Sequence, residues 1–189
     1  MRRLISAAVL ALCSASAAAI PMVDLTIDGN TWNDPFVLEN MSTEGELISS
    51  VSIDLSGIGL VFDTEGLSSK LEFLDGDADY VAYQKSTGET VDGSNDVLEI
   101  TFDELVSDSF AWIVDVDFVD PSLTYVSVFG NDMFGGLVSV FFDSGATLGG
   151  QFSRVAGNDD AAHLKVPTPA PLALLAAGLI GGGLLRRRA

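Results

Sequence analysis

One cysteine, Cys13, and one histidine, His163, are all that this 189-residue chain has of the two side chains most used for nucleophilic and acid–base chemistry. A lone thiol forms no internal disulfide, so no covalent staple holds the fold. A lone histidine gives no zinc-spaced pair. Between residues 20 and 165 there is also no G-x-S-x-G elbow and no glycine-rich phosphate loop, so triad hydrolysis and nucleotide chemistry lack their usual parts. Basic residues are nearly as scarce. Residues 20–165 hold all 27 acidic side chains against Lys70, Lys85, Arg154 and Lys165, a net charge of 4 − 27 = −23. A surface of that sign repels nucleic acid and anionic lipid, and leaves divalent cations, basic partners and neutral glycans as open classes. Twenty-seven acids make close carboxylate pairs inevitable, so their presence does not single out a glycosidase. The chain is read as non-enzymatic.

Sustained helical periodicity is missing between Pro21 and Lys165; period-two alternation replaces it. In SVSIDLS, Val51, Ile53 and Leu55 share one face, and Leu98, Ile100 and Phe102 alternate likewise with Glu99, Thr101 and Asp103. FAWIVDVDF reads as the strongest core strand, with Phe110, Trp112, Val114, Val116 and Phe118 on the buried side. Further strands are expected at VDLTI from Val23, FVLEN from Phe36, LVF from Leu60, KLEFL from Lys70, LTYVSVF from Leu123, LVSVFF from Leu137 and QFSRV from Gln151. Turn signals such as DGN, DTEG, DGDAD, STGE, DGSND and GND separate them. The expectation is an all-β fold of nine or ten strands, a two-sheet antiparallel sandwich of jelly-roll or immunoglobulin-like topology over residues 20–156. AGNDDAAHLK then reads as a polar linker over residues 157–165, with His163 inside it.

The ends differ from this middle. Arg2 and Arg3, an apolar stretch over residues 4–12 and the small residues Ala17 and Ala19 make up the three parts of a secretory signal peptide, residues 1–19. Cleavage near Ala19 would also remove Cys13. At the other end, VPTPAP is followed by fourteen residues, 172–185, with no polar side chain, and then Arg186, Arg187 and Arg188. Fourteen residues make about 21 Å of helix, short against a hydrocarbon core of about 30 Å. The arginines stop transfer and stay cytoplasmic.

That order of proline-rich motif, brief apolar helix and arginine cluster resembles the PEP-CTERM sorting signal, most closely its VPLPA-type variant. The residues that carry the resemblance are Val166, Pro167, Thr168, Pro169 and Ala170 as the motif, 171–185 as the transmembrane helix, and 186–188 as the basic end. Thr168 stands where the variant has leucine, and Pro171 is additional. The resemblance implies an exosortase-like processing enzyme as partner, transient residence of the tail in the inner membrane, and release of the domain to the cell surface or an exopolysaccharide matrix. A retained tail anchor facing the periplasm is the alternative destination.

Two kinds of site fit what remains. Calcium takes hard oxygen ligands, and Asp75, Asp77 and Asp79 in DGDADY are closely spaced, although Tyr80 and Ser86 depart from an EF-hand loop. VDGSND, with Asp92, Asn95 and Asp96, and DVDFVD, with Asp115, Asp117 and Asp120, are looser alternatives. Exposed rings can stack on sugars, and Trp32, Tyr80 and Tyr83 lie near expected turns. The leading expectation is a structural or adhesive exported protein, and the second a carbohydrate-binding or carbohydrate-active domain.

Overall fold

The computed structural model describes residues 20–43, 45–63, 70–84, 95–123 and 125–166. Within them the alternating segments form antiparallel strands: β1 (Val23–Asp28), β2 (Phe36–Asn40), β3 (Ile48–Asp54), β4 (Leu60–Phe62), β5 (Leu71–Phe73), β6 (Ala78–Gln84), β7 (Val97–Val106), β8 (Ser109–Val114), β9 (Val116–Phe118), β10 (Leu137–Phe142), β11 (Thr147–Val155) and β12 (Asn158–Lys165). The architecture is all-β and antiparallel. Ten of these strands make one continuous ladder in the order β5-β8-β2-β1-β12-β11-β10-β3-β7-β6, with β4 and β9 as a separate pair. So the main strands share a single large sheet, where two sheets of comparable size were expected.

That sheet curls nearly into a barrel because its two edge strands, β5 and β6, are consecutive in the chain. The link between them bonds to both sides of the seam, Leu74 N–H to Ala111 C=O at 2.9 Å and Asp103 N–H to Asp77 C=O at 3.3 Å. Phe110 of β8 and Phe102 of β7 meet across it with centroids 4.4 Å apart. Gly76 permits the approach: its φ is +76°, and a Cβ there would lie 2.9 Å from the Phe110 ring. The interior is filled by one face of each strand. Leu25 and Ile27, Phe36 and Leu38, Val51 and Ile53, Leu98 and Ile100, and Val138 and Val140 are all buried. At its centre Phe36 stacks on Trp112 at 5.5 Å, with the rings 10° from parallel.

Three expectations need correction. The stretch read as a polar linker, residues 157–165, is β12, an inner strand of the ladder between β1 and β11. Its inward residues are Ala162 and Leu164, and the small alanine leaves the apolar alternation faint; Ala161, on the opposite face, is buried as well. His163 is accordingly half-buried on a strand, opposite Thr26 and Ser153. LTYVSVF is not a strand. Asp120 accepts from Ser122 N–H at 2.9 Å, and Leu123 and Val126 close successive turns, so local bonds use the backbone groups that a ladder would need. FAWIVDVDF divides at Asp115: β8 runs in the large ladder, while β9 pairs with β4.

The expected signal segment with Ala17 and Ala19, and residues 167–189 with Pro167, Thr168, Pro169, Ala170, the expected helix and Arg186, Arg187 and Arg188, lie outside the described residues. Among the described residues no helix is long and apolar enough to cross a membrane. Val166, the first residue of the expected sorting motif, packs against the core directly after β12.

Candidate metal centre and aromatic surface

The break at Asp115 builds a close group of three carboxylates among the described residues. β4 is buried throughout and pairs with β9; Asp63 follows it directly. Asp63 N–H donates to Asp115 C=O at 3.0 Å, and Asp115 N–H donates to Lys70 C=O at 3.0 Å. These bonds hold Asp63 and Asp115 side by side where the two sheets meet, and Asp117 follows on β9. One carboxylate oxygen from each of Asp63, Asp115 and Asp117 lies within 4.8 Å of the other two. Asp63 is 2% exposed and Asp115 8%.

Burial disfavours charge, and two neighbouring carboxylates disfavour it further. Asp115 responds most: desolvation first, then Asp117 and Asp63, push its carboxyl up to about 7, against smaller opposing effects of the Val116 N–H and Lys70. Three carboxylates this close make a group that could hold a hard cation between them. The donor set, all oxygen, suits calcium, which would draw its remaining ligands from backbone carbonyls and water.

The sequence-derived sites fare differently. Asp75, Asp77 and Asp79 are all exposed, and they do not converge as Asp63, Asp115 and Asp117 do. Asp77 caps its own strand, accepting from Ala78 N–H at 2.8 Å. With Asp75 it borders an acidic cleft of about 450 Å³ at the seam, opposite Asp103, Glu104 and Asp108. Of the DVDFVD set, Asp115 and Asp117 converge and Asp120 does not. Asp120 is exposed, and the Ser122 N–H and hydroxyl hold its carboxyl below the usual value. Asn95 and Asp96 belong to the ladder backbone, through the Phe62–Asn95 bridge and the bond from Leu55 N–H to Asp96 C=O, while Asp92 lies outside the described residues. Sequence reasoning missed Asp63. Its only local signal is a position directly after LVF, a run with no polar alternate.

The aromatic candidates also separate. Tyr83 turns toward the core, its ring 6.3 Å from Phe62, and burial pushes its hydroxyl up to about 12, which removes it as a sugar platform. Tyr80 is exposed on β6, an edge of the ladder. Trp32 is exposed in the turn between β1 and β2, with Lys70 Nζ 5.5 Å from its ring centroid. Lys70 thus joins the two regions, its carbonyl on Asp115 and its ammonium on Trp32.

The chain matches no protein-family model, no curated protein and no solved structure with which it was compared.

Proposed function

We propose that this is an exported, non-enzymatic protein of the cell surface or of an exopolysaccharide matrix, with a structural or adhesive role, delivered by an exosortase-type sorting tail. The observation that carries the reading is the junction at Val166. Lys165 ends an inner strand of the ladder and Val166 packs on the core, so the motif of residues 166–170 begins directly after the last described strand. A cut inside that motif would free the domain with every strand intact. The strongly acidic middle fits a protein that stays soluble once released. A structural calcium at Asp63, Asp115 and Asp117 belongs to the same reading, and would tie the small sheet to the large one.

Intact mass of the protein recovered from inner-membrane, surface and culture fractions tests this. The expected species begins near Ile20, ends within residues 166–171 and lies outside the inner membrane. A full-length C-terminus confined to the inner membrane would reject release and establish the tail anchor facing the periplasm. A second reading, a carbohydrate-binding domain, draws on the exposed ring of Trp32.

A further inference from the structure

The carbohydrate-binding reading acquires a specific location where the β1–β2 turn meets the loop that precedes β10. Thr31 N–H donates to Val128 C=O at 3.0 Å, and Asn30 pairs with Phe129 across the same two segments. Thr31 and Val128 are both buried. Next to these buried residues, Trp32 in the turn that follows Thr31 and Phe129 at the bridge itself stay exposed on adjoining segments. They are 38% and 37% exposed, and Tyr125 and Val126, just upstream of Phe129, stand in solvent as well.

The backbone that carries these rings is held by local bonds. Trp32 N–H donates to Asn30 Oδ1 at 2.8 Å, and Lys70 stands against the indole while donating to the Trp32 carbonyl at 3.1 Å. Phe129 is closed on both sides, its N–H donating to Asp132 Oδ2 and its carbonyl accepting from Asp132 N–H, each at 2.9 Å. Exposed aromatic rings contribute little to the core, and a backbone already ordered beneath them lowers the entropic cost of binding there.

We propose that Trp32 and Phe129 form a stacking platform for the pyranose rings of an uncharged polysaccharide. The C–H faces of a pyranose pack on aromatic faces, and the Lys70 ammonium beside Trp32 supplies a donor for a ring hydroxyl. Charge selects the class: a net −23 over residues 20–165 repels uronate-rich or sulfated polymers, and sets a second copy of the same chain against itself. A neutral glycan meets neither penalty. This inference rests on the carbohydrate-binding reading and is independent of export.

The test uses the full chain in a detergent without a sugar headgroup. The chain has two tryptophans, and Trp112 is sealed in the core, so acrylamide quenching reports Trp32. Laminarin, chitohexaose and xyloglucan are the neutral probes and alginate the anionic one. The expected result is saturable protection of Trp32 by a neutral probe and none by alginate. Retention on the matching insoluble glycan should fall about tenfold in Trp32→Ala and in Phe129→Ala, with Tyr80→Ala and the melting temperature unchanged. The Phe129→Ala protein keeps the Trp32 signal, so it remains informative if Trp32→Ala folds poorly. No protection by any neutral probe, retention surviving both substitutions, preference for alginate, or protection that grows with protein concentration in the absence of glycan would each overturn the proposal. None of these outcomes bears on the masses of the exported species.

Discussion

Replacing Asp115 by asparagine tests the carboxylate group directly, because it removes a charge while keeping the shape of the side chain. Its carboxyl is pushed from 3.8 to about 7, chiefly by burial and then by Asp117 and Asp63. The folded pKa is thus above the unfolded one, so the folded chain holds the extra proton in the interval between them. Stability from this group is full below about pH 4 and is lost as pH rises toward about 7. Three units at about 1.4 kcal/mol each set a ceiling of about 4 kcal/mol. The asparagine amide, lacking ideal partners, costs about 1 kcal/mol of that. Asp115→Asn should therefore be about 3 kcal/mol more stable than wild type at pH 8, and equal or slightly weaker at pH 4. For a domain of this size that is a rise of roughly 6–12 °C in melting temperature. Melting curves of both proteins from pH 4 to pH 9, with EDTA present, provide the comparison. General repulsion among the other acids acts on both proteins alike, so the difference between them isolates Asp115. A difference that stays flat across the range would refute the argument that burial and its neighbours strain this carboxylate.

With calcium the direction reverses: millimolar calcium, but not magnesium, should raise the wild-type melting temperature at pH 8 by several degrees, and Asp117→Asn should abolish the rise. An unchanged melting temperature in wild type would exclude a folded-state site. A Cβ on Gly130 would lie 2.5 Å from Ile27 C=O and 2.8 Å from Ala162 N, both backbone, so Gly130→Ala should cost about 3 kcal/mol in urea unfolding. Gly145→Ala has open space and only a φ of +86° against it, and should cost about 1–2 kcal/mol; equal losses would contradict the packing of the turn at Gly130 between β1 and β12. Phe36→Ala removes the ring stacked on Trp112 and should cost about 3–5 kcal/mol, with loss of near-ultraviolet circular dichroism from the indole; a smaller loss with an unchanged spectrum would place that pair outside the core.

Much of this molecule is legible along the chain because its signals are local. Period-two alternation in VDLTI, FVLEN, SVSID and LVSVFF requires no partner to be recognised, since every second side chain must find an apolar side wherever the strand lands. β12 escaped because alanine marks an inward face weakly, and the run at Leu123 deceived because an alternating pattern says nothing about the turn bonds that Asp120 starts. Asp115 and Asp117 could be named from DVDFVD, but their companion could not. Asp63 reaches them only when β4 pairs with β9, and Phe129 reaches the neighbourhood of Trp32 only through the bridge to Asn30. Which strands are buried on which face is decided by neighbouring residues, so the sequence by itself determined the all-β class and the alternating core. Which carboxylates crowd together and which rings share an outer surface depends on loops closing over long separations, and only the tertiary structure decided that.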